Sequence, residues 1–173
     1  MDKRMSDTFL TAYDAHADAI FRHCYFRLSD REKAMDVTQE TFTRAWDYLV
    51  QGKEVENFKP FLYRIASNLI IEEYRKRKVG SLDAMLEEEA AGERVIPELR
   101  DDEWQERLID RLDGAKALQA MSKLPEHYRE VLTLRFVDGL SPKEIARFLE
   151  ERENTVSVRI HRALHHLKEI LTT

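Results

Sequence analysis

The glycines and prolines of this chain fall between segments in which apolar residues repeat with helical spacing. Only five glycines and four prolines occur in 173 residues, and these residue types mark turns and helix ends. Nowhere do apolar and polar residues alternate with the period of two that is typical of a half-buried strand. The sequence therefore predicts an all-α fold of several helices with short connections.

Three helical segments are predicted in residues 1–79. The first runs from about Ser6 to Leu28, and the third runs from about Lys59 to Lys78. The second follows Ser29-Asp30-Arg31-Glu32, which has the pattern of a capping box. The predicted core positions are Phe9, Leu10, Tyr13, Ile20, Phe21 and Cys24 in the first helix, and Ala34, Val37, Thr38, Phe42, Ala45, Trp46 and Leu49 in the second.

Residues 80–113 differ in composition from the segments on either side. They hold 12 acidic and 4 basic side chains, a net charge of −8, whereas residues 1–79 and 114–173 carry +1 and +2. Acidic runs such as Glu87-Glu88-Glu89 favour a solvated spacer. The sequence predicts two small helical domains, 1–79 and 114–173, joined by an acidic linker.

The last sixty residues have the pattern of a helix-turn-helix. Pro125 stands in the first turn of one predicted helix, which stops at Asp138-Gly139. Ser141-Pro142-Lys143-Glu144 has the pattern of a capping box at the start of the next helix. A longer helix is predicted from about Asn154 to Leu171. Its apolar stripe consists of Val156, Ile160, Ala163, Leu164, Leu167 and Leu171. A short helix, a tight connection and a longer helix together predict a helix-turn-helix.

Two groups of basic residues fit contact with nucleic acid. Residues outside the stripe of the last helix, such as Arg159 and Arg162, can reach base edges in a major groove. An ordinary amphipathic helix with a solvated basic face has the same spacing. Arg75-Lys76-Arg77-Lys78 ends the predicted third helix, with Tyr63 and Asn68 upstream. Basic residues near aromatic ones suit stacked or flipped bases, but a basic C-terminus also complements the helix dipole.

Other functional classes have little support in the sequence. His161 and His165 are spaced like two zinc ligands, but no third ligand stands at a fixed spacing. No catalytic or phosphate-binding motif occurs, so neither an enzyme nor a bound metal or cofactor is expected. The longest stretch without a charge, Ile65 to Ile71, is too short to span a membrane. The absence of an apolar signal segment and the single Cys24 favour the reducing cytoplasm.

Four motifs occur in order along nearly the whole chain. They are Asp36-Val37-Thr38-Gln39-Glu40-Thr41-Phe42, then Phe61 to Leu69 with Tyr74-Arg75-Lys76-Arg77, then Gly139-Leu140-Ser141 with Glu144-Ile145-Ala146, and Thr155-Val156 with His161-Arg162-Ala163. In this order and spacing they resemble the extracytoplasmic-function (ECF) sigma factors of bacterial RNA polymerase. The resemblance implies a sigma-two helical bundle and a sigma-four helix-turn-helix joined by a linker. It also implies a subunit that directs promoter recognition, DNA melting and transcription initiation without catalysis of its own.

The resemblance also implies a role for individual residues. The surface for core polymerase would consist of Asp36, Gln39, Glu40 and Thr43. Contacts to the minus-ten element would come from Tyr63, Arg64, Asn68, Arg75, Lys76 and Arg77, with Asn68 where the family captures a flipped base. Contacts to the minus-thirty-five element would come from Thr155, Ser157, Val158, Arg159, His161 and Arg162. The implied partners are core RNA polymerase, promoter DNA and an anti-sigma factor.

The chain departs from the family pattern at three places. Phe61 replaces a frequent tryptophan, and Ser157 stands where a basic residue is common. The turn of the helix-turn-helix reads Glu150-Glu151-Arg152-Glu153-Asn154, whereas the family usually has glycine and an apolar residue there.

The alternative function is a stand-alone helix-turn-helix regulator whose N-terminal half senses a ligand or partner.

Overall fold

The computed structural model describes residues 2–77 and 112–173. The chain divides into two compact units, Met1–Val79 and Gly80–Thr173. The described residues form seven α-helices and no strand, which confirms the all-α prediction. Nearly all of the predicted acidic linker, 80–113, lies outside the described residues, as does Lys78, the predicted end of the third helix.

The first unit is a bundle of three helices, each of which packs on the other two. They are α1 (Lys3–Leu28), α2 (Arg31–Val50) and α3 (Phe58–Arg77). Because only two residues separate α1 from α2, the two helices run antiparallel. Phe9 meets Trp46 with ring centroids 5.0 Å apart, and Tyr13 meets Phe42 at 4.8 Å. These edge-to-face pairs close the bundle between the start of α1 and the later turns of α2.

The junction between α1 and α2 differs from the predicted capping box. Ser29 ends α1 in the left-handed conformation, with φ 55°, and its N–H donates to the Tyr25 carbonyl. Asp30 caps α2 instead, its side chain accepting from the Lys33 N–H at 3.1 Å. The prediction that Ser29 caps α2 is wrong because this residue already closes the preceding helix.

The predicted core of α1 is only partly correct. Leu10 and Tyr13 are 55% and 45% exposed, although the Tyr13 ring still contacts Phe42. The buried stripe of α1 passes through Ile20 and Cys24. Polar residues occupy the same stripe further along, where His23 and Arg27 are fully buried. The core of α2 is closer to the prediction, with four positions buried: Ala34, Val37, Phe42 and Ala45.

The second unit is organised around its last helix. The helices are α4 (Gly114–Met121), α5 (Glu126–Leu132), α6 (Pro142–Leu149) and α7 (Glu153–Thr172), and α7 contacts the other three. A π-helical turn, Thr133–Val137, extends α5 up to the predicted stop. The predicted stripe of α7 is buried except for the half-buried Leu171; its buried members are Val156, Ile160, Ala163, Leu164 and Leu167.

The helix-turn-helix consists of α6, the turn after it and α7. Ser141 caps α6 as predicted, its side chain accepting from the Glu144 N–H at 3.2 Å. Glu150 ends α6 in the left-handed conformation, with φ 57°. The Glu151 N–H donates to the Ala146 carbonyl, which is the long hydrogen bond of a Schellman-type helix end, and the Glu150 N–H donates to the same carbonyl. Glu150 thus occupies the position that glycine favours, and Glu151 occupies the position where an apolar contact is usual.

Candidate nucleic-acid interface

The side of α2 that faces away from the core is a continuous polar surface. Asp36, Gln39, Glu40 and Thr43 are all exposed, and their spacing of three and four residues places them on one face of the helix. Glu40 accepts from Arg44 at 3.0 Å, and Arg44 also lies 3.9 Å from Glu72 on α3. The four predicted residues therefore share one accessible face that an ion pair connects to the neighbouring helix.

The exposed side of α3 carries five of the six residues predicted to contact the minus-ten element: Arg64, Asn68, Arg75, Lys76 and Arg77. Tyr63 differs, because it is only 7% exposed and its ring meets the buried His23 ring edge-on at 5.2 Å. Burial leaves little of the Tyr63 ring for a base to stack on. Tyr63 belongs to the core of the bundle, and the prediction that it contacts DNA does not fit this burial.

The basic end of α3 is fixed to the rest of the bundle. The Tyr74 hydroxyl donates a hydrogen bond to the main-chain carbonyl of Arg27 at the end of α1. Lys33 on α2 forms an ion pair with Glu73 at 3.0 Å. The Arg77 guanidinium lies 6.0 Å from the centre of the Tyr74 ring, within the range of a cation–π contact. The three basic residues thus extend from a helix end with a defined position.

The first half of α7 presents most of the residues predicted to contact the minus-thirty-five element. Thr155 and Ser157 are exposed, and Val158, Arg159 and Arg162 are half-buried. His161 is only 7% exposed, with its ring 4.8 Å from that of His165. α7 contacts three other helices, and His161 is buried beside the predicted apolar stripe. Because of this burial, His161 fits the core better than the predicted DNA contact.

An ion pair joins the turn of the helix-turn-helix to α7. The Nη2 atom of Arg159 lies 2.9 Å from Oε2 of Glu151, and its Nη1 atom lies 3.3 Å from Oε1. This pair was not predictable from the sequence, because Glu151 lies in the turn, outside the regular spacing of α7. Arg159 also acts on Tyr128 of α5: burial raises the pKa of the Tyr128 phenol, and the positive charge of Arg159 opposes that increase.

No group of three His, Cys, Asp or Glu side chains in residues 2–77 and 112–173 is arranged to hold a metal ion. A hollow of about 850 Å³ lies along the first half of α1 and is lined by side chains of both charges, including Lys3, Asp7 and Glu56. No helix in the described part of the chain is long and apolar enough to cross a membrane.

Comparison with known proteins connects both units to one family. The family described as Sigma-70 region 2 matches residues 12–79, and the one described as Sigma-70, region 4 matches residues 115–167. The chain is 34% identical over 170 residues to the ECF RNA polymerase sigma factor SigW of Bacillus subtilis, covering 95% of this chain and 89% of SigW. The chain belongs to the ECF sigma factors. It is thus an alternative sigma factor, which directs transcription initiation.

One further relative agrees with this assignment, and one solved structure agrees with the fold. The ECF sigma factor SigL of Mycobacterium tuberculosis is 32% identical over 157 residues, which cover 90% of this chain and 84% of SigL. The sigma factor RpoE of Bartonella quintana, solved in complex with the anti-sigma factor NepR, superposes with a TM-score of 0.65 at 21% identity and covers 99% of both chains. At that identity the second comparison supports the fold alone. In this ECF sigma factor the region 2 match falls on α1 to α3, and the region 4 match falls on α4 to α7.

Proposed function

We propose that this sigma factor uses three separate surfaces, two on its first unit and one on its second. The polar face of α2 binds core RNA polymerase, the exposed side of α3 contacts the minus-ten element, and the first half of α7 enters the minus-thirty-five element. The observation that carries the proposal is the exposure of Asn68 between the buried residues Ser67 and Leu69. An amide held outward from a packed helix suits recognition of a base rather than support of the core.

The α2 surface suits a protein partner. Asp36 and Gln39 project from the side opposite buried Val37 and Phe42, so a partner can bind them without disturbing the bundle. Their acceptor oxygens and the amide N–H groups of Gln39 provide directional hydrogen bonds. We infer that this face contacts the clamp helices of core polymerase.

The α3 surface suits a DNA strand whose bases are unstacked. Arg75, Lys76 and Arg77 provide positive charge for phosphates, and Asn68 lies about two turns before them on the same helix. An amide pairs with the edge of a base that has left the stack. Phosphate contacts at the end of α3 therefore position the strand, and Asn68 distinguishes one base of the minus-ten element.

The α7 surface suits the major groove of duplex DNA. Its first turns present Thr155, Ser157 and Arg162, which are side chains that donate to base edges or phosphates. The preceding α6 and its capped start have the arrangement in which the first helix of the motif crosses the DNA backbone. We infer that α7 recognises the minus-thirty-five element.

The remaining parts of the proposal concern regulation and location. RpoE of Bartonella quintana was solved with an anti-sigma factor, and we infer that a protein of that class also inhibits this chain. The chain acts without catalysis of its own, in the cytoplasm, where Cys24 stays reduced. Cys24 is buried, and it is the single cysteine of the chain.

Run-off transcription with purified bacterial core polymerase tests the proposal. The template is the promoter that holoenzyme selects from a pool of duplex DNA randomised over both elements. We expect specific transcripts only when this chain is added to core polymerase, and weak DNA binding by the chain alone. Tight, specific DNA binding without polymerase, together with no stimulation of transcription, would contradict the proposal.

A further inference from the structure

The ion pair between Glu151 and Arg159 has the geometry of a two-point clamp. Each terminal nitrogen of the guanidinium faces a different carboxylate oxygen, at 2.9 and 3.3 Å. Two parallel contacts of this kind fix the plane of the guanidinium as well as its distance. The Arg159 side chain is 20% exposed and that of Glu151 is 33% exposed, so water screens the pair less than it screens a pair on the open surface.

Both ends of the clamp are anchored in the backbone. The Glu151 N–H donates to the Ala146 carbonyl at 2.9 Å, which fixes the turn onto the end of α6. Arg159 directly precedes the buried Ile160 on α7. The guanidinium therefore has a defined place before any ligand binds.

The clamp leaves part of Arg159 available. A guanidinium carries five N–H groups, and two of them are directed at the carboxylate. Three N–H groups remain, and two of them, the Nε–H and the second N–H of the terminal nitrogen beside it, form a pair that matches the O6 and N7 acceptors of guanine. The carboxylate also cancels the charge of Arg159, which weakens its attraction to phosphates of any sequence.

We propose that Glu151 is a positioning residue that holds Arg159 for base recognition in the minus-thirty-five element and limits its contacts with phosphates. This inference rests on the proposed role of α7. It also gives the acidic turn a function at the position where an apolar residue is usual.

The test measures base preference with the complete holoenzyme. Run-off transcription is measured on the promoter selected by wild-type holoenzyme and on its single-base variants in the minus-thirty-five element. The sigma variants are Glu151→Gln, Arg159→Ala, the two combined, and Glu150→Gln. The last is the matched control, because it removes the same charge from the neighbouring residue of the same turn. Circular dichroism confirms that each variant is folded.

We expect Glu151→Gln to reduce discrimination at one minus-thirty-five position by about fivefold or more, the loss of one well-oriented base contact. Glu150→Gln should leave that discrimination unchanged. In the Arg159→Ala background, Glu151→Gln should have no further effect on base preference, because its action passes through Arg159.

Two results would overturn the inference, and they differ from each other. A uniform loss of transcription on all base variants with Glu151→Gln would show that Glu151 only stabilises the turn. Unchanged base preference with Arg159→Ala would show that Arg159 is not a base contact at all. Neither result changes whether transcription requires both this chain and core polymerase. A failure of this inference can therefore be told apart from a failure of the proposed function.

Discussion

The Tyr74 hydroxyl on α3 donates a hydrogen bond to the main-chain carbonyl of Arg27, 47 residues earlier in the chain. Arg27 lies in the last turn of α1, where carbonyl groups have no partner within their own helix. Tyr74 therefore caps α1 from another helix. The same contact fixes the end of α3 directly before Arg75, Lys76 and Arg77.

Replacing Tyr74 with phenylalanine should destabilise the first unit. The change removes the hydroxyl donor and leaves the main-chain carbonyl of Arg27 without this hydrogen bond, at a cost of about 1 to 3 kcal/mol. Urea unfolding measures the effect through the fluorescence of Trp46, in a Trp104→Phe background so that only the first unit is reported. Tyr13→Phe is the control, because it removes the same hydroxyl from a residue that is 45% exposed. Equal effects of the two variants would show that the Tyr74 hydrogen bond contributes nothing measurable.

Combining Asp36→Ala with Gln39→Ala should weaken binding to core polymerase and leave the fold intact. Both side chains are exposed on α2, and surface changes usually alter stability by no more than about 0.5 kcal/mol. Affinity for core polymerase is measured by titration of labelled sigma factor. The control combines Asp14→Ala with Asp18→Ala, which removes two exposed side chains from α1. If both double variants bind like the wild type, α2 is not the interface.

Asn68→Ala should remove base preference at one minus-ten position and keep general affinity for promoter DNA. A two-point amide contact discriminates between bases by about 1 to 3 kcal/mol. Run-off transcription on single-base variants of the selected promoter gives the preference. Arg75→Ala provides the contrast, since loss of a phosphate contact should weaken transcription on every variant and reduce the salt dependence of binding. A uniform loss with Asn68→Ala would indicate a structural asparagine.

Tyr128 should make the second unit less stable at alkaline pH. Burial raises the pKa of this phenol above its ordinary value of 10.0, against the opposing charge of Arg159. A group whose pKa is higher in the folded state than in the unfolded state adds its full stabilisation of the fold at pH values below its unfolded pKa. That stabilisation is lost as the pH rises through the folded pKa. The difference in tyrosinate absorbance between the wild type and Tyr128→Phe should therefore titrate above pH 10. A midpoint at or below the ordinary value would contradict the burial of this phenol.

Helix positions and most buried stripes could be predicted from the sequence because they follow from spacing alone. The stripe of α7 is an example, since Val156, Ile160 and Leu164 recur every four residues and are all buried. Ser141 was predictable as a cap because a serine three residues before Glu144 satisfies a first-turn N–H. Both features depend on residues within one or two turns of each other.

Features that depend on distant segments were not predictable. Arg27 and His161 are buried by neighbouring helices, and charged or polar residues seldom occupy such positions. Tyr63 looked like a nucleic-acid contact because basic residues follow it, but its ring faces His23 on α1. The pair formed by Glu151 and Arg159 arises only once the turn brings them together. These contacts depend on tertiary packing, which the spacing of residues within one helix does not predict.

Replacing Glu150 with glycine should stabilise the helix-turn-helix. Glu150 has φ 57°, a conformation that costs a residue with a Cβ about 1 to 2 kcal/mol. Glycine lacks this cost but loses more backbone entropy on folding, so we expect a net gain of about 0.5 to 1 kcal/mol in the free energy of unfolding. Amide hydrogen exchange in peptides from α7 measures the change in the second unit alone. Glu150→Ala separates the two possible causes, because it removes the same charge but keeps the Cβ. An equal gain with alanine would assign the effect to the charge of Glu150, and slower exchange with glycine alone would assign it to the left-handed backbone of this turn.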